Sequence, residues 1–295
     1  MRTSTFLVSR SPFIASPPPT TELFRVIIEE LGTISAEPTD VTYEDVNCPR
    51  TVRPAIWCKP KEASASRVIL NLHGGGFVTG SPSSHRKLAG HLAKTSGCHA
   101  LVLDYERAPE NRFPKQQEDV IAAYKCLMMD KKISSKNIVF AGDSAGRRLT
   151  ISSTLMAKNL GLDLPAAIVT SSPWFDVTMD AESYDRGLTK QSFVTPEAIG
   201  LVAGAYVGNA PTSDPLIDLL HADFMGLPPI YITAGTEEIH EKEALQLTEH
   251  AKSAKVEVRL EIVKDMDHIW VMMAGRAPEA DKTIAEAANF LRKKW

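Results

Sequence analysis

The sequence has few of the features that mark secreted, membrane-spanning or metal-binding proteins. Its 295 residues include only four cysteines, which are far apart and show no CxxC spacing, so we expect free buried thiols in a reducing compartment. No stretch approaches the roughly 18 apolar residues of a membrane span. Residues 1–14 also lack an apolar stretch of signal-peptide length. These absences predict a cytoplasmic protein.

Neither charge nor repetition indicates a macromolecular partner. The formal net charge is −3, which provides no general attraction to nucleic acid or to an anionic membrane. The sequence contains no internal repeat. Hydrophobic residues make up 43% of the chain, which is enough for a large buried core. We therefore expect a single domain over residues 1–295 that acts on a small molecule. Charge and composition do not decide between a monomer and a homodimer.

Short apolar runs alternate with amphipathic segments along the chain, and this order predicts an α/β fold. Strands that alternate with helices at this spacing are typical of a mostly parallel sheet covered on both faces. The predicted strands are 41–46, 54–58, 68–72, 100–103, 137–141, 166–170, 230–234 and 256–263. The predicted helices include 21–31, 88–94, 116–129, a helix from 144 onward, and 278–292.

A G-x-S-x-G pattern lies between a predicted strand and a predicted helix, as Gly142-Asp143-Ser144-Ala145-Gly146. A serine hydroxyl is a poor nucleophile by itself and needs both exposure and a neighbouring base. A tight strand-to-helix turn supplies the exposure, and flanking glycines let the backbone pack closely around it. The alternative is a plain glycine-rich turn at a helix start. The strand and helix on either side favour Ser144 as a nucleophile.

A second glycine cluster, His73-Gly74-Gly75-Gly76-Phe77, follows the predicted strand 68–72. Without side chains, its backbone N–H groups can approach a ligand closely. Such donors contribute about 3–4 kcal/mol each when they face a developing oxyanion. A plain turn and a phosphate-binding loop are the alternatives, but the GK[ST] and GxGxxG patterns of phosphate loops are absent.

The base and its orienting acid are sought among residues that follow later strands. His268 comes just after the last predicted strand, on the side of the sheet from which it can reach Ser144. Glu237 and Glu238 follow the predicted strand 230–234. This arrangement gives the chain order serine, acid, histidine that is typical of α/β-hydrolases. The residues alone leave open which of the two glutamates is the acid.

Together these motifs resemble the hormone-sensitive-lipase-like branch of the α/β-hydrolases, the HGGG esterases. The resemblance implies the α/β-hydrolase fold, with a mostly parallel eight-stranded sheet, helices on both faces and a helical cap. The cap would consist of about 1–40 and about 176–223, a long segment without a clear strand. The matching segments are His73–Phe77, Gly80-Ser81-Pro82, Asp104-Tyr105, Ala108-Pro109-Glu110, Phe113-Pro114, Gly142–Gly146, Ser172-Pro173-Trp174, Gly226-Leu227-Pro228-Pro229, and Met266 with His268.

The resemblance also implies roles for individual residues, and neither a cofactor nor a metal. Glu238 fits the family's acid loop better than Glu237, because its offset from the preceding glycine matches. The implied roles are Ser144 as nucleophile, His268 as general base and acid, Glu238 as orienting carboxylate, and Gly74, Gly75 and Ala145 as oxyanion donors.

The sequence departs from the family pattern directly after the serine motif. Arg147 and Arg148 stand where a glycine and a small or polar residue are usual, and Glu106 stands where an arginine is usual. Two cations in the first turn of a helix oppose its dipole by about 0.3–1 kcal/mol each. We expect Arg147 or Arg148 to pair with a carboxylate, Glu106 being the first choice, and to point away from the substrate pocket.

The function expected from this combination is hydrolysis of small, mostly apolar carboxylic esters by a serine esterase. One alternative is a tailoring hydrolase of secondary metabolism, or a condensation or cyclisation catalyst on the same scaffold. Another is a catalytically silent homologue that binds a small apolar ligand. The serine, histidine and acid candidates argue against a silent protein, whereas Arg147 argues for it.

Overall fold

An eight-stranded sheet forms the centre of the protein in the computed structural model, which describes residues 20–177, 196–238 and 240–295. The strand order is β1-β2-β4-β3-β5-β6-β7-β8. β2 runs antiparallel to both β1 and β4, and all other neighbours are parallel. The strands are β1 (Val41–Val46), β2 (Ala55–Pro60), β3 (Ser64–Leu72), β4 (Cys98–Leu103), β5 (Ile138–Ser144), β6 (Ala167–Pro173), β7 (Ile230–Gly235) and β8 (Val258–Val263). This confirms the predicted α/β-hydrolase architecture.

Helices cover both faces of the sheet because its central strands are apolar on both sides. Val68 and Leu70 of β3 pack into one apolar cluster with the helices that begin at residues 115 and 145, whereas Ile69 packs into another with the helices that begin at residues 82 and 278. A shift of one residue in register would exchange these two faces. The described helices are α1 (Thr21–Glu29), α2 (Pro82–Ser96), α3 (Lys115–Lys125), α4 (Ala145–Asn159), α5 (Pro196–Val207), α6 (Glu241–Ser253) and α7 (Pro278–Arg292).

The beginning of α2 differs most from the sequence prediction, which started this helix at residue 88. Residues 82–87 lack an apolar periodicity, but Ser81 caps the helix. Its hydroxyl accepts a hydrogen bond from the Ser84 N–H at 3.2 Å, and Pro82 occupies the first helical turn. The Ser81 cap and Pro82 therefore set the start of this helix six residues before the point at which its hydrophobic periodicity begins.

Two predicted cap segments lie partly outside the described residues. Residues 1–19 and 178–195 of these segments are outside the described ranges. Of the two predicted segments, the structure describes α1, α5 and the loops next to them. No helix in the described ranges is long and apolar enough to cross a membrane. All four cysteines are buried, and none is paired with another.

Candidate active site

Ser144 lies at a sharp turn between β5 and α4, with a backbone φ of 50° and ψ of −121°. A non-glycine residue in this region carries strain of about 1–3 kcal/mol, which the surrounding structure must offset. A Cβ atom on Gly146 would lie 1.9 Å from the Leu72 carbonyl oxygen, and one on Gly142 would lie 2.6 Å from the Gly146 carbonyl. Only glycine allows β3, β5 and α4 to approach this closely. The turn presents the Ser144 hydroxyl at the carboxyl end of the sheet.

A continuous hydrogen-bonded chain links Ser144, His268 and Glu238. His268 Nε2 lies 3.0 Å from Ser144 Oγ, and His268 Nδ1 lies 3.0 Å from Glu238 Oε2. Both His268 and Glu238 are buried. Glu237 instead accepts a hydrogen bond from the neighbouring Thr236 hydroxyl at 3.2 Å. Of the two candidate carboxylates, the structure therefore places Glu238 against the imidazole.

The loops that carry the acid and the histidine are packed directly against each other. A Cβ atom on Gly235, the last residue of β7, would lie 2.0 Å from the Met266 carbonyl oxygen. Glu238 Oε1 accepts hydrogen bonds from the Gly235 N–H and the Ser172 hydroxyl, both at 2.8 Å. With three donors around it, the Glu238 carboxylate is fixed in position. Ser172 had no predicted role, although it lies in Ser172-Pro173-Trp174, one of the segments that resemble the family.

The glycine loop after β3 packs against the serine turn. A Cβ atom on Gly74 would lie 3.2 Å from the Ser144 Cβ atom and 2.4 Å from Asp143 Oδ2. Gly75 has a φ of 116°, which favours glycine, and it lines the cavity next to Ser144. The structure thus brings Gly74, Gly75 and Ala145 to the serine. The Gly74 N–H donates a hydrogen bond to His85 Nε2 at 3.2 Å, so this donor already has a partner.

A partly open cavity lies above Ser144 and His268. Its wall is mostly apolar, and its polar lining residues are Thr79, His85, Asp143, Ser144, His240 and His268. α1, α5 and the loop after β6 supply most of that wall. The aliphatic and aromatic side chains of the wall are those of Ile28, Leu31, Trp174, Ala198, Ile199, Val202 and Ile269.

The prediction that Arg147 or Arg148 pairs with Glu106 is wrong. Both arginines are fully buried, as are Ala145 and Gly146 in the same first turn of α4. Arg148 donates to the carbonyls of Phe175 and Ile217. Glu106 instead faces Lys115 Nζ at 3.8 Å. The described cavity lining includes neither arginine, in agreement with the second part of the prediction.

Arg147 occupies an unusual environment for a cation. Its Nη2 donates to the Thr233 carbonyl at 3.1 Å, and its guanidinium carbon lies 5.3 Å from the centre of the Phe175 ring. Nε and Nη1 have no hydrogen-bond partner within the described part of the chain. Burial lowers the pKa of Arg147 well below its usual value, although the charges of Glu238, Glu243 and Asp143 oppose this change.

A second histidine–carboxylate pair lies beside the first. His240 Nδ1 is 2.9 Å from Glu243 Oε1, and Glu243 Oε2 accepts the Asp176 N–H at 2.8 Å. The His240 ring lies 5.6 Å from the His268 ring, centre to centre, and lines the same cavity. Sequence reasoning gave His240 no role, since its context resembles an ordinary loop. In the described ranges no group of three or more His, Cys, Asp or Glu residues could hold a metal ion.

Comparison with known proteins agrees with this fold. Residues 69–272 match a family model described as the alpha/beta hydrolase fold. The chain is 32% identical over 264 residues to an acetyl-hydrolase of Streptomyces hygroscopicus, covering 90% of this chain and 86% of that protein. Among solved structures it resembles an esterase of the bacterial hormone-sensitive lipase (HSL) family, with a TM-score of 0.92, 34% identity and coverage of 99% and 97% of the two chains. It also resembles EstE5 soaked with p-nitrophenyl butyrate, with a TM-score of 0.89, 31% identity and coverage of 99% and 98%.

The fold, the site and these similarities together define a carboxylic ester hydrolase with the α/β-hydrolase fold. Within that class, the chain belongs to the hormone-sensitive-lipase-like family of esterases.

Proposed function

We propose that this carboxylesterase hydrolyses small, mostly apolar esters through an acyl-enzyme formed on Ser144. The observation that carries the proposal is the unbroken hydrogen-bonded chain from Ser144 through His268 to Glu238 beneath an apolar cavity. A serine adjacent to a base that is itself oriented by a third group is the arrangement that activates an alcohol as a nucleophile.

In the first half of the reaction, Ser144 Oγ attacks the ester carbonyl carbon while His268 Nε2 accepts the hydroxyl proton. The negative charge that develops on the carbonyl oxygen is stabilised by the N–H groups of Gly75 and Ala145. The Gly74 N–H was expected to join them, but it donates to His85 Nε2 instead. The tetrahedral intermediate then breaks its bond to the alcohol oxygen, and His268 gives the proton to the departing alcohol. Glu238 stabilises the imidazolium that exists between these two proton transfers.

In the second half, a water molecule attacks the acyl carbon and His268 accepts one of its protons. The bond between Ser144 Oγ and the acyl carbon breaks, the carboxylic acid leaves, and Ser144 regains its proton from His268. The two half-reactions balance without a cofactor, since water supplies the only additional atoms.

The substrate class follows from the lining of the cavity. Aliphatic and aromatic side chains favour apolar groups, and a charged substrate would lose its hydration without gaining partners there. The similarity to an acetyl-hydrolase and to EstE5, which was soaked with p-nitrophenyl butyrate, supports acyl groups of short length. Acetate and butyrate esters are therefore the substrates to assay first.

Covalent labelling tests the nucleophile directly. A fluorophosphonate probe should label Ser144, because only an activated serine reacts quickly with it. Peptide mass spectrometry would locate the adduct, and Ser144→Ala should lose both the label and at least about a thousandfold in ester turnover. Ser152→Ala, two turns along the same helix, is the matched control and should keep both. Folded wild-type protein that stays unlabelled, or a label on another serine, would contradict the acyl-enzyme mechanism.

A further inference from the structure

Arg147 contacts the strand that holds the acid of the hydrogen-bonded chain. Its Nη2 donates to the Thr233 carbonyl of β7 at 3.1 Å. Two residues further along the same strand, the Gly235 N–H donates to Glu238 Oε1 at 2.8 Å. The guanidinium and the Glu238 carboxylate are therefore both held by the end of β7, and both are buried.

The same guanidinium contacts the segment that holds the second buried carboxylate, Glu243. The guanidinium carbon lies 5.3 Å from the centre of the Phe175 ring, and the Phe175 N–H donates to Glu243 Oε2. Glu243 Oε1 in turn lies 2.9 Å from His240 Nδ1. Arg147 is therefore next to the supports of both histidine–carboxylate pairs, the one that contains His268 and the one that contains His240.

Arg147 supplies a positive charge to a group of buried carboxylates. The carboxylates whose charges act on its guanidinium are Glu238, Glu243 and Asp143. Burial lowers the pKa of Arg147, and these three charges oppose that change. Because an arginine side chain has a very high pKa to begin with, it still carries its proton at the pH of ester hydrolysis.

A fixed charge in this place acts on His268 through space. The negative charge of Glu238, 3.0 Å from His268 Nδ1, stabilises the imidazolium, whereas a positive charge nearby destabilises it. His268 can take the proton of Ser144 only while its Nε2 carries none. We propose that Arg147 is a positioning residue that acts by its charge, keeping His268 unprotonated among these carboxylates so that it can serve as the base near neutral pH. This inference rests on the proposed function, because it concerns the base that activates Ser144.

Other titratable and charged groups surround this part of the site. Asp267 is the nearest along the chain: its Oδ1 accepts the His268 N–H at 2.7 Å, and burial raises the pKa of Asp267 to about 6. These groups are the same in every protein compared below, so a difference between the proteins comes from the substitution. The groups that face the cluster from other elements are Asp143 of β5, His85 of α2, Arg148 of α4, Asp176 after β6, Glu237 after β7, and His240 and Glu243 at the start of α6.

The consequence concerns the pH at which activity begins. Removing the charge of Arg147 stabilises the His268 imidazolium, so a higher pH is needed to free Nε2, and the acid limb of the kcat/KM profile moves to higher pH. One buried charge of this kind shifts a neighbouring titration by about one pH unit. At pH values below both midpoints the loss is then about tenfold. On the alkaline plateau, the variant and wild type should agree within about threefold, because the base is free in both.

The test compares pH profiles of kcat/KM on p-nitrophenyl acetate for wild type and three variants. Arg147→Met removes both the charge and the bond to the Thr233 carbonyl, whereas Arg147→Gln removes the charge but keeps an amide donor for that carbonyl. Both should move the acid limb up by about one pH unit. Lys158→Met is the matched control and should leave the limb in place, since it removes a positive charge from the last turn of the same helix, where Lys158 is paired with Asp223 at 2.8 Å. Circular dichroism would confirm that each protein is folded at each pH.

An acid limb that stays at the wild-type pH in both folded Arg147 variants would overturn the proposal. A shift in Arg147→Met alone would overturn it too, since the effect would then belong to the bond with Thr233 and not to the charge, and so would an equal loss at every pH. Should a variant not fold, NMR of wild type labelled with ¹⁵N-arginine decides: a buried guanidinium that stays charged through the acid limb supports the proposal, and a neutral one overturns it. Wild type that hydrolyses no ester at any pH, with Ser144 unlabelled, would instead be a failure of the proposed function.

Discussion

Ser172 joins the acid loop to the histidine loop through a single hydroxyl. Its Oγ donates to Glu238 Oε1 at 2.8 Å and accepts the Ile269 N–H, also at 2.8 Å. Ser172 itself has a φ of 59°, so the end of β6 is shaped to place this hydroxyl between the two loops. The relative positions of Glu238 and His268 therefore depend on β6 as well as on β7 and β8, the strands that precede their loops.

Ser172→Ala should lower kcat by roughly tenfold with little change in KM. The variant removes one net hydrogen bond to the Glu238 carboxylate, and bonds to charged groups contribute about 1.5–3 kcal/mol. Steady-state kinetics on p-nitrophenyl butyrate would measure both constants, with Ser171→Ala as the neighbouring control. An equal loss in both variants would indicate a general effect on β6 rather than a role for this hydroxyl.

Glu238→Gln should lower kcat by about 10³–10⁴-fold, because an amide stabilises the His268 imidazolium poorly and favours the wrong tautomer. Glu237→Gln should stay within about threefold of wild type, since Glu237 is bonded to Thr236 rather than to His268. Both variants must be shown to be folded. The reverse ranking would move the acid to Glu237.

The sequence predicted the sheet and the neighbourhood of the site, because apolar periodicity and strand order decide which loops meet. It could not choose between Glu237 and Glu238, since adjacent residues follow the same strand and differ only in the direction of their side chains. The predicted pairing of Arg147 with Glu106 is wrong for a related reason. Backbone carbonyls are available everywhere in a fold, and sequence patterns do not show which of them a buried guanidinium will reach.

Arg147→Gly should reduce stability by several kcal/mol without a gain in turnover. Replacing a fully buried large side chain by a much smaller one typically costs about 2–5 kcal/mol, because a cavity is left behind. Urea denaturation would measure the loss, and Arg147→Met, which keeps most of the volume, should lose less if packing contributes. Ester turnover is compared at equal folded concentration. A large gain in the glycine variant would mean that Arg147 obstructs the site.

Val202→Trp should shorten the range of acyl groups that the enzyme accepts. Val202 lines the cavity, and its side chain lies 3.1 Å from where a Cβ atom on Gly76 would be. A larger ring at this point should lower kcat/KM for p-nitrophenyl hexanoate at least about tenfold more than for the acetate, since overpacking affects the longer group first. Leu201→Trp is the control, because Leu201 is 64% exposed on the same helix. If both variants show the same profile, the acyl group binds elsewhere.

The strand order described above also sets an order of events during synthesis. β8 lies at the edge of the sheet, pairs with β7, and precedes the loop that carries His268. A growing chain folded as far as the loop after β7 already contains Ser144, the glycine loop and Glu238, but not the base. Such an intermediate lacks the group that removes the serine proton. Chemical competence therefore arrives only after the last strand, when the loop that carries His268 is in place.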